Sequence, residues 1–330
     1  MRDGPIAYLA FTERGRALAE RICAALGGAA SCTRDGVSLR AWTAEHFPTA
    51  RALVYIGAAG IAVRTVAPHL AGKASDPAVV CIDEGGRYAI PLVSGHIGGA
   101  NALAREIARV LGAAAVVTTA TDVNGVFAVD DWARTQDCAV VGTERIKNVS
   151  GRLLAGETVG VCPAFPIAGD PPEGVELRQE DADFWVDIRP HDGLVLAPRC
   201  LILGVGCRRG TTLETLEAHF AEFCRANDIL PEAVCAAATI DWKKKEEGLS
   251  AFCAAHGWRL FVFSTEELAA AEGAFSASGF VAAVTGVDNV CERAAVRAGG
   301  TLLVRKYAGG GVTFALAQMP VSLDWGERDG

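Results

Sequence analysis

His96 stands in the run Ser94-Gly95-His96-Ile97-Gly98-Gly99-Ala100-Asn101, among three glycines and ahead of a helix-forming stretch. A ring so placed belongs to a loop with approachable backbone rather than to a core. Its ordinary pKa suits proton transfer near neutral pH. The amides of Gly98 and Gly99 can receive an oxyanion or a carboxylate, with Ser94 and Asn101 beside them. The plain alternative is a histidine that hydrogen-bonds its own turn. Two acidic turns offer further acid/base groups. Asp83-Glu84-Gly85-Gly86-Arg87 pairs two carboxylates, and one such group can hold the other's proton on; it also reads as an exposed hairpin turn. Thr118-Thr119-Ala120-Thr121-Asp122-Val123-Asn124-Gly125 gathers hydroxyls, including Thr119, around Asp122, or is simply a capped turn.

Two glycine-rich turns suit anions. In Gly57-Ala58-Ala59-Gly60-Ile61-Ala62-Val63-Arg64, Gly57 and Gly60 open a helix whose first amides favour negative charge, and Arg64 adds a fork of donors. The alternative is a packing turn with a surface arginine. In Gly204-Val205-Gly206-Cys207-Arg208-Arg209-Gly210, the arginines Arg208 and Arg209 suit carboxylates or phosphates held from the side. Cys207, near a helix start and beside Arg208, is a candidate for a lowered thiol pKa. No histidine accompanies it, which argues against a nucleophile. Gly204-x-Gly206 resembles half a dinucleotide fingerprint. The next predicted strand ends at Asp241, about 35 residues on, too far for the usual ribose-binding acid.

The elements that must position these residues alternate. Apolar runs at 6–11, 52–56, 79–82, 88–93 and 116–119 read as strands, with helices between several of them. A second alternating run begins at Leu201. Strands and helices of these lengths predict two three-layer α/β domains with mostly parallel sheets, spanning 1–130 and 199–330. A small α+β middle segment, 131–198, is marked by Pro163, Pro166, Gly169, Pro171 and Pro172. Because ligands gather at the carboxyl ends of parallel strands, Asp83, Glu84 and Asp122 are expected at one sheet edge with His96. Lys243-Lys244-Lys245-Glu246-Glu247 reads as a solvated helix face.

Composition narrows the function. Lys and Arg number 31 against 39 Asp and Glu, a net charge of −8 that argues against nucleic-acid and anionic-membrane partners. Hydrophobic residues at 51% can fill large cores. No apolar run reaches the ~18 residues of a membrane span, and Met1-Arg2-Asp3-Gly4-Pro5 carries no signal-peptide pattern, so a soluble cytoplasmic protein is expected. The 11 cysteines form no C-x-x-C pair and do not cluster with the 6 histidines, so neither a zinc site nor a disulfide framework is expected.

Taken in order, three stretches resemble the amino-terminal part of the CbiG family of cobalt-precorrin-5A hydrolases. They are Tyr55-Ile56-Gly57 through Gly60-Ile61-Ala62-Val63-Arg64, the Ser94–Asn101 run, and Thr118-Thr119-Ala120-Thr121-Asp122. The Gly204–Gly210 turn is similar to the start of that family's carboxyl-terminal domain, as are Glu292-Arg293-Ala294-Ala295, Lys306 and Gly311-Val312-Thr313. The resemblance implies a step of anaerobic cobalamin biosynthesis: a lactone is opened and a two-carbon unit leaves as acetaldehyde, giving cobalt-precorrin-5B. It implies a cobalt-corrinoid intermediate as substrate, with the cobalt arriving bound in it, no cofactor or metal ligands of the protein's own, and transient contact with neighbouring pathway enzymes. Under it, His96, Asp83, Glu84 and Asp122 are the catalytic candidates. Arg64, Arg208, Arg209 and Lys306, with the glycine, Ser94, Asn101, Thr119 and Cys207 positions, line the substrate, in a cleft between the two α/β domains. A non-catalytic tetrapyrrole carrier of the same pathway is the other reading.

Overall fold

In the computed structural model, which describes residues 4–72, 75–277 and 287–326, the described residues build three large sheets and a two-stranded one. The first has six strands: β1 (Ile6–Ala10), β2 (Ala29–Cys32), β3 (Ala52–Ile56), β4 (Ala78–Ile82), β5 (Tyr88–Val93) and β6 (Ala114–Ala115), in the order β2-β1-β3-β4-β5-β6. β1 to β4 are parallel. β5 runs antiparallel to β4, with Ala89 opposite Ile82, and β6 follows β5. A parallel crossover takes about a dozen residues or more, and too few separate Ile82 from Tyr88. The expected strand at 116–119 is shorter and earlier, at Ala114–Ala115. Further along β5 stands Pro91, which has no N–H to extend the ladder.

Alternation along these strands feeds two cores. Ile6, Tyr8, Ala10, Val54 and Ile56 face α1 (Glu13–Leu26) and α4 (Ala100–Leu111), packing on Ile22, Leu103 and Ile107. Ala7, Leu9, Leu53 and Tyr55 face α2 (Leu39–His46) and α3 (Ala59–Val66), packing on Trp42, Ala62 and Val66. Helices thus cover both faces, as all-apolar parallel strands require.

The middle segment carries a sheet of its own. After the short helices α5 (Ala120–Asn124) and α6 (Val129–Thr135) come β7 (Cys138–Val141), α7 (Ile146–Leu154), β8 (Val159–Pro163), β9 (Ile167–Ala168), β10 (Val175–Leu177), β11 (Phe184–Val186) and β12 (Leu194–Pro198). Its order is β10-β8-β11-β12-β7, with β7 antiparallel to β12 and the other pairs parallel.

The third sheet joins β13 (Leu201–Cys207), β14 (Val234–Ile240), β15 (Arg259–Phe263), β16 (Thr301–Gly309) and β17 (Val312–Gln318) in the order β15-β14-β13-β17-β16. α8 (Leu213–Ala226) and α9 (Glu247–His256) cover one face through Phe220 and Phe252. α10 (Thr265–Ala269) and α11 (Val290–Arg297) cover the other through Leu268 and Ala294. Val195 and Ala197 of β12 pack into the same cluster as Leu203, Phe220 and Phe314, so the middle and third sheets share a core. The chain then returns: β18 (Leu323–Asp324) pairs with β9, and Trp325 stacks on Trp132 at 4.9 Å. The α/β class with mostly parallel sheets that the sequence predicts is the one the chain adopts. Among the described residues, no helix is long and apolar enough to cross a membrane.

Gly204 has a packing role in this arrangement. A Cβ there would lie 1.8 Å from the carbonyl oxygen of Cys291, because α11 rests directly on β13. Gly204→Ala is expected to cost about 1–3 kcal/mol by forcing the helix off the sheet. Urea denaturation of the variant checks this, and an unchanged midpoint would contradict it.

Candidate active site

The reversal of β5 decides which residues meet. His96 follows the end of β5, so its loop lies at the amino edge of β1, β3 and β4. Asp83 and Glu84 follow β4 and lie at the opposite edge, which corrects the expectation that they share an edge with His96. Asp83 closes the hairpin: its carboxylate accepts the amides of Gly85 at 3.0 Å, Arg87 at 2.7 Å and Tyr88 at 2.6 Å. Partial burial works to raise its pKa, but these bonds outweigh it and hold the group below the usual range. Glu84 accepts the hydroxyl of Thr12 at 2.6 Å. Gly57 and Gly60 also sit towards that carboxyl edge, after β3. Arg64 is exposed on α3, in a groove of about 640 Å³ shared with Arg40, Ile61 and His69.

The His96 loop is tightly wound. Ser94 adopts the left-handed region at φ 57°, and its carbonyl accepts the Ala100 amide at 3.0 Å. A Cβ on Gly98 would lie 2.3 Å from that of Ser94, so the turn closes only around glycine. The amides of Gly99 and Asn101 are spent on the carbonyls of His96 and Gly95, at 2.8 and 2.9 Å. The expected oxyanion-binding role of the Gly99 amide is therefore corrected: the loop itself consumes it. A small cavity of about 60 Å³ adjoins Gly98 and Gly99, edged by Arg51, Glu106 and Arg134.

Asp122, which opens the middle segment's approach on α5, does join His96. Nε2 of the ring donates to Asp122 Oδ2 at 2.8 Å. The same carboxylate takes Asn101 Nδ2 at 3.1 Å, the hydroxyl of Thr119 and the guanidinium of Arg105. Asn101 is buried and also reaches Thr119 Oγ1 at 2.9 Å. On the other side of the ring, Nδ1 lies 3.2 Å from Oδ1 of Asp130, on α6. That contact has the distance of an ion pair without the alignment of a hydrogen bond, and Oδ1 is buried with no hydrogen-bond partner. The side chains of His96, Asp122 and Asp130 are 14%, 15% and 11% exposed.

An imidazole with a carboxylate facing each nitrogen is favoured as the cation, because both charges lie close to it. Burial favours the neutral ring, but Asp130 and then Asp122 outweigh it and raise the His96 pKa to about 9. Burial likewise works to raise Asp122, but Thr119, His96 and Arg105 outweigh it and bring it down to about 2. The raised His96 pKa favours the protonated ring at neutral pH, where the sequence left acid and base both open.

Asp130 is absent from the sequence-level candidates. It stands 34 residues from His96 in an acidic first helical turn, Asp130-Asp131, which reads as ordinary compensation of the helix dipole.

The carboxyl-terminal candidates lie elsewhere. Gly206 and Cys207 end β13, and α8 begins only at Leu213, capped by Thr212. Cys207 is therefore not at a helix N-terminus. Burial pushes its thiol up, only partly offset by Lys243, which corrects the expected lowering. Arg208 and Arg209 are exposed, and the Arg208 amide donates to the Gly311 carbonyl at 3.0 Å. The 243–247 charge run does more than face solvent: Lys243 Nζ bonds Glu246 at 2.9 Å, and Glu246 accepts the Gly210 amide. Lys306 donates its amide to Glu292 at 2.7 Å. Glu292 is fully buried and also takes the Ser276 amide and hydroxyl, at 2.7 and 2.8 Å. The charged contacts of His96 run to α5 and α6, not to this turn.

Fold and site define a multi-sheet α/β protein with a half-buried histidine held between two carboxylates. Comparison with known proteins makes this specific. Residues 41–122 match the family profile "Cobalamin synthesis G N-terminal" and residues 201–317 match "Cobalamin synthesis G C-terminus". A cobalt-precorrin-5A hydrolase of Salmonella typhimurium is 36% identical over 82% of this chain and 83% of its own. One of Priestia megaterium is 30% identical over 86% and 82%. A solved cobalamin biosynthesis protein G homologue from Sulfolobus solfataricus is 20% identical, with a TM-score of 0.41 over 96% of this chain and 97% of that one. The chain belongs to the cobalamin synthesis G family of hydrolases. His96 and Asp122 fall inside the first matched stretch, whereas Asp130 falls between the two.

The charges make stability pH-dependent in opposite senses. The His96 pKa is raised on folding, so its contribution is complete below about 6.5 and is lost as pH rises through about 9. That of Asp122 is lowered, so its contribution is complete above about 4 and is lost as pH falls through about 2. His96→Gln is expected to destabilise the protein more at pH 6 than at pH 9.5, read as the difference in melting temperature from wild type. Equal differences at both values would contradict the charged ring. Asn101→Ala leaves donors and acceptors unpaired in a buried site and should cost about 1–3 kcal/mol, read by urea denaturation.

Proposed function

We propose that this protein is a cobalt-precorrin-5A hydrolase of anaerobic cobalamin biosynthesis, acting in the cytoplasm. It opens the lactone of its substrate and releases the two-carbon unit as acetaldehyde, leaving cobalt-precorrin-5B. Family membership and the names of the two relatives support the substrate. The observation that carries the chemistry is His96 clamped between Asp122 and Asp130, a setting that favours the protonated ring.

Lactone opening needs water at the carbonyl carbon and a proton for the departing ring oxygen. An imidazolium of this kind supplies that proton. Cobalt belongs to the substrate, whose macrocycle takes up electrons when the fragment leaves. The substrate also carries many carboxylates, and the protein is acidic overall, so attraction must be local. With the Ala100 and Asn101 amides of α4 spent on their own loop, exposed or half-buried cations are the groups proposed to meet those carboxylates. Arg64, Arg208, Arg209 and Lys306 are the residues proposed for this.

Purified protein given cobalt-precorrin-5A without oxygen should release acetaldehyde in step with loss of the lactone. His96→Gln should lower turnover by about 10²- to 10⁴-fold while still binding the corrinoid. Binding without any acetaldehyde from the wild-type protein would instead make it a carrier.

A further inference from the structure

Asp130 stands out among the buried acids. Asp122 is saturated by Thr119, Asn101, Arg105 and His96. Glu292 is satisfied by Ser276 and Lys306. Asp130 is 8% exposed, its Oδ1 has no hydrogen-bond partner, and the cation it approaches is His96 at 3.2 Å. A buried carboxylate with so little support is costly. It also belongs to another core: Val129, Trp132 and Ala133 of its helix pack with the middle sheet, while His96 hangs from the first.

We infer that Asp130 is a positioning residue for lactone opening, by which the middle segment holds His96 as the proton-carrying acid. The inference rests on the hydrolase reading above. Without Asp130, His96 would keep Asp122 alone, and a histidine oriented by one carboxylate works as a base. With Asp130 in place the ring carries a second proton. Nε2–H is committed to Asp122. Nδ1–H, held by charge without an aligned bond, is the proton available to substrate. In the step, water oxygen bonds to the lactone carbonyl carbon, and the bond from that carbon to the ring oxygen breaks. The electron pair goes to the departing oxygen, which takes the Nδ1 proton. The surplus proton of the added water returns to the imidazole. Asp122 and Asp130 face the ring directly, Arg105 sits on Asp122, and Arg51, Glu106 and Arg134 edge the cavity beside Gly98 and Gly99.

The test compares wild type with Asp130→Asn in steady-state acetaldehyde release across pH, alongside carbon-13 histidine NMR of both. The alkaline limb of kcat, where His96 loses its proton, should move down by about 1–3 pH units in the variant, and the His96 titration should move with it. At pH 8, kcat should fall by about twofold for a one-unit shift and by about a hundredfold for a three-unit shift, while KM changes little; loss of a merely structural contact would leave the limb in place. Wild-type turnover with an unmoved limb overturns the role of Asp130 alone. Absence of wild-type turnover overturns the hydrolase reading and this role with it. The wild-type titration reads the inference even if the variant does not fold: a His96 ring neutral at pH 7.5 overturns it.

Discussion

Charges removed from water must be paired or they unfold the structure that holds them. At His96 three such charges, Asp122, His96 and Asp130, alternate in sign, and the more exposed Arg105 extends the row to four. The row is neutral as a whole, so a largely desolvated imidazolium can exist there. Each member comes from a different element: α4, α5, the loop after β5, and α6. The first sheet and the middle segment therefore meet at a site whose charge balance neither completes alone. The tight Ser94–Asn101 turn serves the same end, because it spends backbone amides on its own carbonyls and leaves ionised side chains to define the site.

Much of this was legible in the sequence. Apolar runs alternating with glycine turns announced the sheets, and one sheet edge does bring together His96, Asn101, Thr119 and Asp122. What misled was strand direction. Every polar turn was read as the carboxyl end of a parallel strand, yet the short stretch from Ile82 to Tyr88 permits only a hairpin. That one reversal sends Asp83 and Glu84 to the far edge, where Asp83 closes the turn and Glu84 accepts the Thr12 hydroxyl. The hairpin alternative for those residues was visible from spacing alone.

Asp130 was hidden for another reason. Periodicity identifies elements, and motif spacing identifies groups close along the chain, but neither reports which helix of one core leans on the loop of another. The same limit applies to Glu246, which was read as part of a solvated charge run although it caps the Gly204–Gly210 turn from 36 residues away. Glu292 was noticed within a family-like run, but its burial beneath Lys306 depends on an edge strand whose register shifts between Val304 and Tyr307. Irregular pairings of that kind leave no mark in hydrophobic alternation.

The return of the chain at Leu323–Trp325 bears on how the protein emerges from the ribosome. Trp132 Nε1 donates to the carbonyl of Asp324, 192 residues later, and its ring stacks on Trp325. Trp132 sits on the same helix as Asp130. During synthesis at about 5–20 residues per second, that helix waits roughly 10–40 seconds for its last packing partner. The first sheet can fold at once, since its strands and helices are contiguous in the chain. A nascent chain will therefore display a finished first sheet with its histidine turn in place well before the charge row is closed. Interrupted translation would yield a fragment that looks native by its first core yet lacks a fully packed middle one.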